Sequence, residues 1–202
     1  LNNSQIRVFT NAAVIDQNGF VGSFETDIMT PTGGTRKVSH GATLVATGTR
    51  EYRPDLYGLN ESEKVMSQTD FESLIVDQPA RANELRSVVM LQCAGSRCET
   101  HLNYCSRICC NQAVKNSLLL KELNPDVRID VLYRDMRCYG LGELEYRKAR
   151  MKGVNFIRFE PETSAPDIEV SEAGVAVKIH DPSIRMDVEI SPEILVLSTG
   201  IV

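Results

Sequence analysis

Between Ser87 and Phe159 the sequence changes period again and again, and that alternation limits the folds open to it. Val88 to Leu91 is a short apolar run, and Cys109 to Leu123 carries a helical pattern stopped by Asn124-Pro125. Arg128 to Tyr133 (RIDVLY) is a second apolar run. Glu143 to Lys152 is a second helical pattern, with Gly153 as its terminating glycine, and Val154 to Phe159 (VNFIRF) is a third apolar run. Strand–helix–strand–helix–strand joined by right-handed crossovers makes a parallel sheet. The expected fold class is therefore α/β, a Rossmann-like parallel sheet with helices on both faces plus a β-meander. A partial β segment precedes it.

The first strand-to-helix junction is where a dinucleotide-binding unit carries its glycine loop. Here it reads CAGSRCETHLNYCSRICC, from Cys93 to Cys110, with Gly95 its only glycine and five of the chain's six cysteines. A phosphate cradle needs glycines so that backbone N–H groups can approach closely, and this loop offers thiols instead. Cys105, Cys109 and Cys110 form C-x3-C-C, and Cys93 stands at the end of the strand. With Cys105 beginning the helix, Cys109 would follow one turn later on the same face. Four thiolates suit a [4Fe–4S] cube. They also suit zinc, whose structural sites usually use short C-x2-C knuckles that this loop lacks. A vicinal Cys109–Cys110 disulfide and a set of free buried thiols are the remaining readings. Arg97, Arg107 and the helix N-terminus would offset the negative charge of a cluster. Cys98 and Cys138 are surplus to a four-thiolate site. Asp135 is a ribose candidate, with Arg134 or Arg137 for a phosphate, but an Arg–Asp network is the stronger reading without a glycine loop. His101 reads as an exposed loop histidine. Ala94 to Tyr104 looks unable to bury a core.

The rest of the chain is punctuated by turns. Ile6 to Phe9 is a strand candidate. Ala12 to Asp16 and Phe20 to Met29 form a hairpin around Asn18-Gly19, and Arg36 to Ser39 returns. Gly41 to Gly48 (GATLVATG) reads as a buried closing strand. Thr49 to Arg86 reads as a connector with some helix, capped at Ser67. A second meander covers Ile168–Val170, Val175–Ile179 and Met186–Ile190, and Ile194 to Gly200 (ILVLSTG) closes it. Two meanders each ending in an apolar run and Thr-Gly suggest two domains of one ancestral kind. A net charge of −5 with no long basic run argues against a nucleic-acid partner. No apolar run approaches the roughly 20 residues of a membrane span. Leu1 at the start and the stop at Val202 suggest a piece of a longer protein.

The segments VVMLQCAGSR, NYCSRICCNQAVKN, KELNPDVRIDVLYRDMR and GVNFIRF resemble the A-type component of heterodisulfide reductase, an FAD- and iron–sulfur-containing relative of thioredoxin-reductase-type flavoproteins. The resemblance implies cluster ligands at Cys93, Cys105, Cys109 and Cys110, and a second FAD contact at Ala46, Thr47 and Gly48. It implies a partial FAD-binding segment over 1–50, a connector over 51–86 and an NAD(P)-binding-like α/β domain over 87–202. The implied function is cytoplasmic, flavin-based electron transfer, with the flavin splitting an electron pair and the cluster passing single electrons. The implied partners are other heterodisulfide-reductase-type subunits and an electron-donating, hydrogenase-like module. The family's glycine-rich FAD fingerprint lies upstream of this stretch, so FAD binding by it is expected to be weak. Two alternatives remain open: a nicotinamide-dependent thiol/disulfide oxidoreductase, and a zinc-stabilised assembly module without activity.

Overall fold

The structure, a computed structural model, describes residues 3–202. It contains two compact units, one ending at Gly48 and one running from Thr49 to Val202.

The first unit is an antiparallel meander of β1 (Ala13–Phe20), β2 (Ser23–Met29) and β3 (Thr35–His40), in that order. Thr26, in the middle strand, is buried, and its hydroxyl lies 2.7 Å from His40 Nε2. The hairpin does not turn at Asn18-Gly19, which pair with Glu25 and Phe24 inside the ladder. The turn is Val21-Gly22, where Gly22 takes φ +95°. Gly19 is needed for another reason: at φ +107° a side chain there would run into the Ser23 carbonyl. Residues 6–9 form no strand. Nor does the run Gly41 to Gly48, expected as a buried strand: it has no ladder partner among the described residues, and Leu44 and Val45 are 91% and 78% exposed. An apolar run becomes a strand only beside another strand.

The second unit begins with β4 (Val65–Ser67), α1 (Gln68–Asp77) and α2 (Pro79–Glu84). It continues through β5 (Ser87–Leu91), α3 (Cys109–Leu123), β6 (Arg128–Tyr133), α4 (Gly142–Met151) and β7 (Asn155–Arg158). Then come β8 (Asp167–Ser171), β9 (Gly174–Asp181), β10 (Met186–Ile190) and β11 (Ile194–Leu197). A five-stranded sheet has the order β4-β11-β5-β6-β7 and all its pairings are parallel. The three strands expected between 87 and 159 thus lie side by side in one sheet. The chain leaves β5 in one direction toward β6, while β4 lies on the other side beyond β11, so the order switches there.

Strand alternation divides the core in two. Val88, Met90, Ile129, Val131, Ile194 and Val196 face one cluster, which takes in Phe71, Leu74, Val114 and Leu118 from the helices. Val89, Leu91, Leu132, Ile157, Leu195 and Leu197 face the other, with Val175, Val177 and Ile179. The second face is therefore covered by the antiparallel β8–β10 sheet and not by helices, as the β-branched alternation of β9 (VAVKI) allows.

Residues 51–86 are not a surface connector. β4 pairs with β11, and Phe71, Leu74 and Ile75 are buried in the helix-side cluster. The Ser67 cap expected from sequence is present as a reciprocal box. Ser67 Oγ accepts from Asp70 N at 3.1 Å, and Asp70 Oδ2 accepts from Ser67 N at 3.2 Å. Arg50 and Val202 exchange two backbone hydrogen bonds of 2.9 and 2.8 Å, so the segments entering and leaving this unit run side by side.

Candidate functional site

The cysteine loop, residues 92–108, crosses the carboxyl end of the parallel sheet between β5 and α3. It is tied down more firmly than its composition suggests. Ala94 N donates to the Ser198 carbonyl at 3.1 Å, Leu102 N to Gly95 O at 3.2 Å, and Arg97 N to Tyr104 O at 3.3 Å. Tyr104 Oη donates to Ile201 O, and Ile201 N to Ser106 Oγ, both at 2.9 Å. Ala94 and Ser96 are buried, so the expectation that nothing in this loop joins a core is corrected. Gly200 permits the close approach: it has φ +91°, and a Cβ there would stand 2.7 Å from Ser106 Oγ.

α3 spans Cys109–Leu123, as its helical pattern does in the sequence, and Cys105 remains in the loop, so the condition that Cys105 begins the helix is not met. The reason is local: Arg107 takes φ +62°, which a right-handed helix cannot contain, and Ser106 is held by Ile201. Cys93 and Arg97 also take left-handed backbone, with φ +60° and +58°. Non-glycine residues of this kind cluster where a site over-determines the backbone.

All six cysteines are free thiols. Cys93, Cys105, Cys109 and Cys110 share one electrostatic neighbourhood. Burial pushes the Cys109 thiol up to about 12, and the Cys110, Cys93 and Cys105 sulfurs add to it. Burial likewise raises Cys110, with Cys93 and Cys105 contributing. Burial raises Cys93 too, opposed by the Arg97 guanidinium, whose Nη1 lies 3.9 Å from Cys93 Sγ. Arg107 N donates to Cys105 Sγ at 3.4 Å. The helix start brings N–H groups without any side-chain cap. Among the described residues, no three His, Cys, Asp or Glu side chains stand close enough to grip a single metal ion.

Cys138 is buried and also raised to about 12, by its burial and then by Cys110. Cys98 Sγ accepts from Thr100 Oγ1 at 3.9 Å, and its backbone N–H donates to Leu102 O at 3.2 Å. Asp135 is engaged as an ion-pair network. It bonds Arg97 through one oxygen and Arg137 Nε through the other at 3.0 Å, while Arg134 Nη1 donates to the Arg97 carbonyl at 3.0 Å. Against the burial that raises it, those two guanidinium groups hold the Asp135 carboxyl below its usual range. His101 Nδ1 lies 3.0 Å from Tyr52 Oη. Ala46, Thr47 and Gly48 are exposed and belong to no strand.

Sequence reasoning passed over Gln92. It is 2% exposed, and neither its Nε2 nor its Oε1 has a hydrogen-bond partner. Thr199 Oγ1, buried at the end of β11, is unpartnered as well. The available signal was a glutamine ending an apolar strand directly before a cysteine.

No family model matches the sequence. One A-type iron–sulfur component of the CoB–CoM heterodisulfide reductase of Methanopyrus kandleri is 32% identical over 180 residues, covering 80% of this chain and 27% of that protein. The A-type component of the H2/formate:CoB–CoM heterodisulfide,ferredoxin reductase of Methanococcus maripaludis is 32% identical over 176 residues, covering 80% and 26%. The chain thus spans about a quarter of the length of the curated relatives it matches. Among solved structures, Lactococcus lactis thioredoxin reductase aligns with a TM-score of 0.47 and 14% identity over 94% of this chain and 53% of that one. Over the stretch it shares with those relatives, the chain belongs to the family of A-type heterodisulfide reductase components.

Proposed function

We propose that this chain is a segment of an electron-transfer oxidoreductase component in which Cys93, Cys105, Cys109 and Cys110 ligate a [4Fe–4S] cluster. The observation that carries this is the shared neighbourhood of those four thiols at the uncapped start of α3. The Cys109 thiol, pushed up to about 12, does not ionise unaided at neutral pH, burial raises Cys93 and Cys110 in the same direction, and a bound iron centre would supply the positive charge that lets them ionise. Structural zinc sites usually use short C-x2-C knuckles, which this loop lacks, and four thiolates suit a [4Fe–4S] cube. When bound, such a cluster supplies one-electron transfer. The chain's own part would be to hold it at the carboxyl end of the sheet by the uncapped start of α3, with the Arg97 guanidinium beside Cys93.

We carry over from the family FAD as a second cofactor, with Ala46, Thr47 and Gly48 forming part of its site. We also carry over flavin-based, bifurcating electron transfer and a place in a cytoplasmic complex. The partners are other heterodisulfide-reductase-type subunits and a hydrogenase-like donor. The Methanopyrus relative is named for iron and sulfur, and the Methanococcus relative is named for H2 or formate, heterodisulfide and ferredoxin. No helix among the described residues is long and apolar enough to cross a membrane. The nicotinamide reading is disfavoured because Asp135 is occupied by two arginines and a thiol loop fills the phosphate position.

Anaerobic reconstitution followed by iron, sulfide and zinc analysis tests the reading. The expected result is about four iron and four sulfide per chain. Zinc without sulfide supports the assembly module, and metal-free thiols that turn over a disulfide with a nicotinamide support the oxidoreductase alternative. The same preparation is expected to bind FAD weakly, because the glycine loop that would cradle the pyrophosphate is not in this sequence. Stoichiometric FAD after purification overturns that expectation.

A further inference from the structure

Gln92 stands between the end of β5 and Cys93, and its side-chain amide is buried without a partner at either end. Its backbone is satisfied, since its N–H donates to the Leu132 carbonyl at 2.9 Å. Strand alternation continues from Val88 and Met90, so Gln92 lies on the helix side of the sheet. One step beyond the Leu91–Leu197 pair, it stands across from Ser198. That side holds a small polar cluster. Gln68 Nε2 donates to Ser198 Oγ at 3.1 Å, and Asn116 Nδ2 donates to Gln68 Oε1 at 2.8 Å. Ser117 Oγ is bonded to the Ala113 carbonyl at 2.8 Å. Gln68, Ser198 and Ser117 thus have partners, whereas Asn116 Oδ1 and both ends of the Gln92 amide do not. Leaving a buried amide unpaired is unfavourable. The residue sits next to Cys93, on the face that also receives Cys110 and Ala113 from the first turns of α3.

We infer that the Gln92 side-chain amide donates a hydrogen bond to a sulfur of the iron–sulfur cluster and thereby raises its reduction potential. The inference rests on the cluster reading above. Its physical basis is charge: a four-thiolate cluster is an anion and gains a further negative charge on reduction, so an N–H donor stabilises the reduced form more. Gln92 is a positioning residue in this role and ligates no iron. A buried water bridging Gln92 to the unpartnered Asn116 Oδ1 is the competing occupant.

The test uses the full chain, reconstituted anaerobically, as wild type, Gln92→Leu and the length-matched Gln92→Met. Iron and sulfide are counted, and the midpoint potential is titrated. Wild-type protein carrying side-chain ¹⁵N-glutamine is also examined in the reduced state by pulsed EPR. The expected result is full cluster loading in the variants with a more negative potential. At fixed applied potential the reduced-to-oxidised ratio should fall about tenfold, equivalent to about 59 mV for a one-electron couple. A ¹⁵N coupling present in wild type should vanish in both variants. Loaded variants at the wild-type potential, with no ¹⁵N coupling in wild type, overturn the inference in favour of water and leave the cluster reading standing. If neither variant loads, the labelled wild-type spectrum decides: coupling supports the inference and its absence overturns it. A wild type that takes up no iron and sulfide overturns the cluster reading, and this inference with it.

Discussion

Cys93, Arg97 and Arg107 each hold a left-handed backbone, which costs an L-residue about 1–2 kcal/mol, and all three stand in the loop between β5 and α3. The loop's hydrogen bonds to Ser198 and Ile201 hold that geometry in place, which is how such strain survives at sites. Single Cys→Ser variants test the ligand set directly. After anaerobic reconstitution, loss of the blue-end absorbance is expected for Cys93, Cys105, Cys109 and Cys110, with retention for Cys98 and Cys138. Loss in Cys138→Ser with retention in any one of the four would move a ligand to Cys138, which already bears on Cys110. A second residue-scale prediction concerns Asp70. The Arg53 guanidinium, bonded at 2.7 and 3.1 Å, holds this carboxyl below its usual range. A depressed carboxylate contributes stability above its unfolded value, about 3.9, and loses it as pH falls through the folded value. The stability gap between wild type and Asp70→Asn in urea should therefore be present at pH 7, begin to shrink only below about pH 4, and vanish once pH has fallen through the depressed folded value. Because the pair is largely exposed, the gap should be no more than about 0.5 kcal/mol. At this scale the sequence showed residue types and spacing. It could not show that Cys105 stays outside the helix, since that depends on Ile201 bonding Ser106 from the other end of the chain.

α1 shows why a connector by composition became part of a core. Its cap was readable at Ser67 because a capping box is a local pattern, four residues long. Its burial was not, because the partners of Phe71 and Leu74 lie on β5, α3 and β11. β4 is three residues long, too short to display a period, and its ladder partner β11 lies about 130 positions later. Phe71→Ala should destabilise the second unit by about 3–5 kcal/mol, read as a lower urea midpoint. Ser67→Ala should cost about 1 kcal/mol through loss of the cap. A wild-type midpoint in Phe71→Ala would return 51–86 to the status of a linker. The β5, β6 and β7 strands needed no distant information, since each is a dense apolar run between helical patterns.

For the whole chain, the two units set where it should be cut. Leu44 and Val45 lie in a stretch with no strand and with exposed backbone, and the second unit begins at Thr49. Limited proteolysis with an enzyme selective for aliphatic residues should cut first between 42 and 48 and leave a resistant product of 49–202. First cleavage inside 51–86 would contradict the packing of α1. The parallel order of the second unit, and the cysteine loop at the end of its first long strand, were legible from periodicity, because a strand–helix–strand unit closes only one way in a right-handed chain. The choice of cover for the second face was not legible. A half-buried antiparallel meander and an independent sheet have the same alternating pattern, and only the packing of Val175, Val177 and Ile179 against β5, β6 and β11 distinguishes them. The same holds for the two apolar runs ending in Thr-Gly. Both have the composition of a buried strand, yet only Ile194–Leu197 is flanked by β4 and β5 and becomes one. Local order comes from neighbours in sequence, which the chain carries in its spacing. Pairing, burial and the orphaned amide of Gln92 come from neighbours in space, which exist only once the fold has formed.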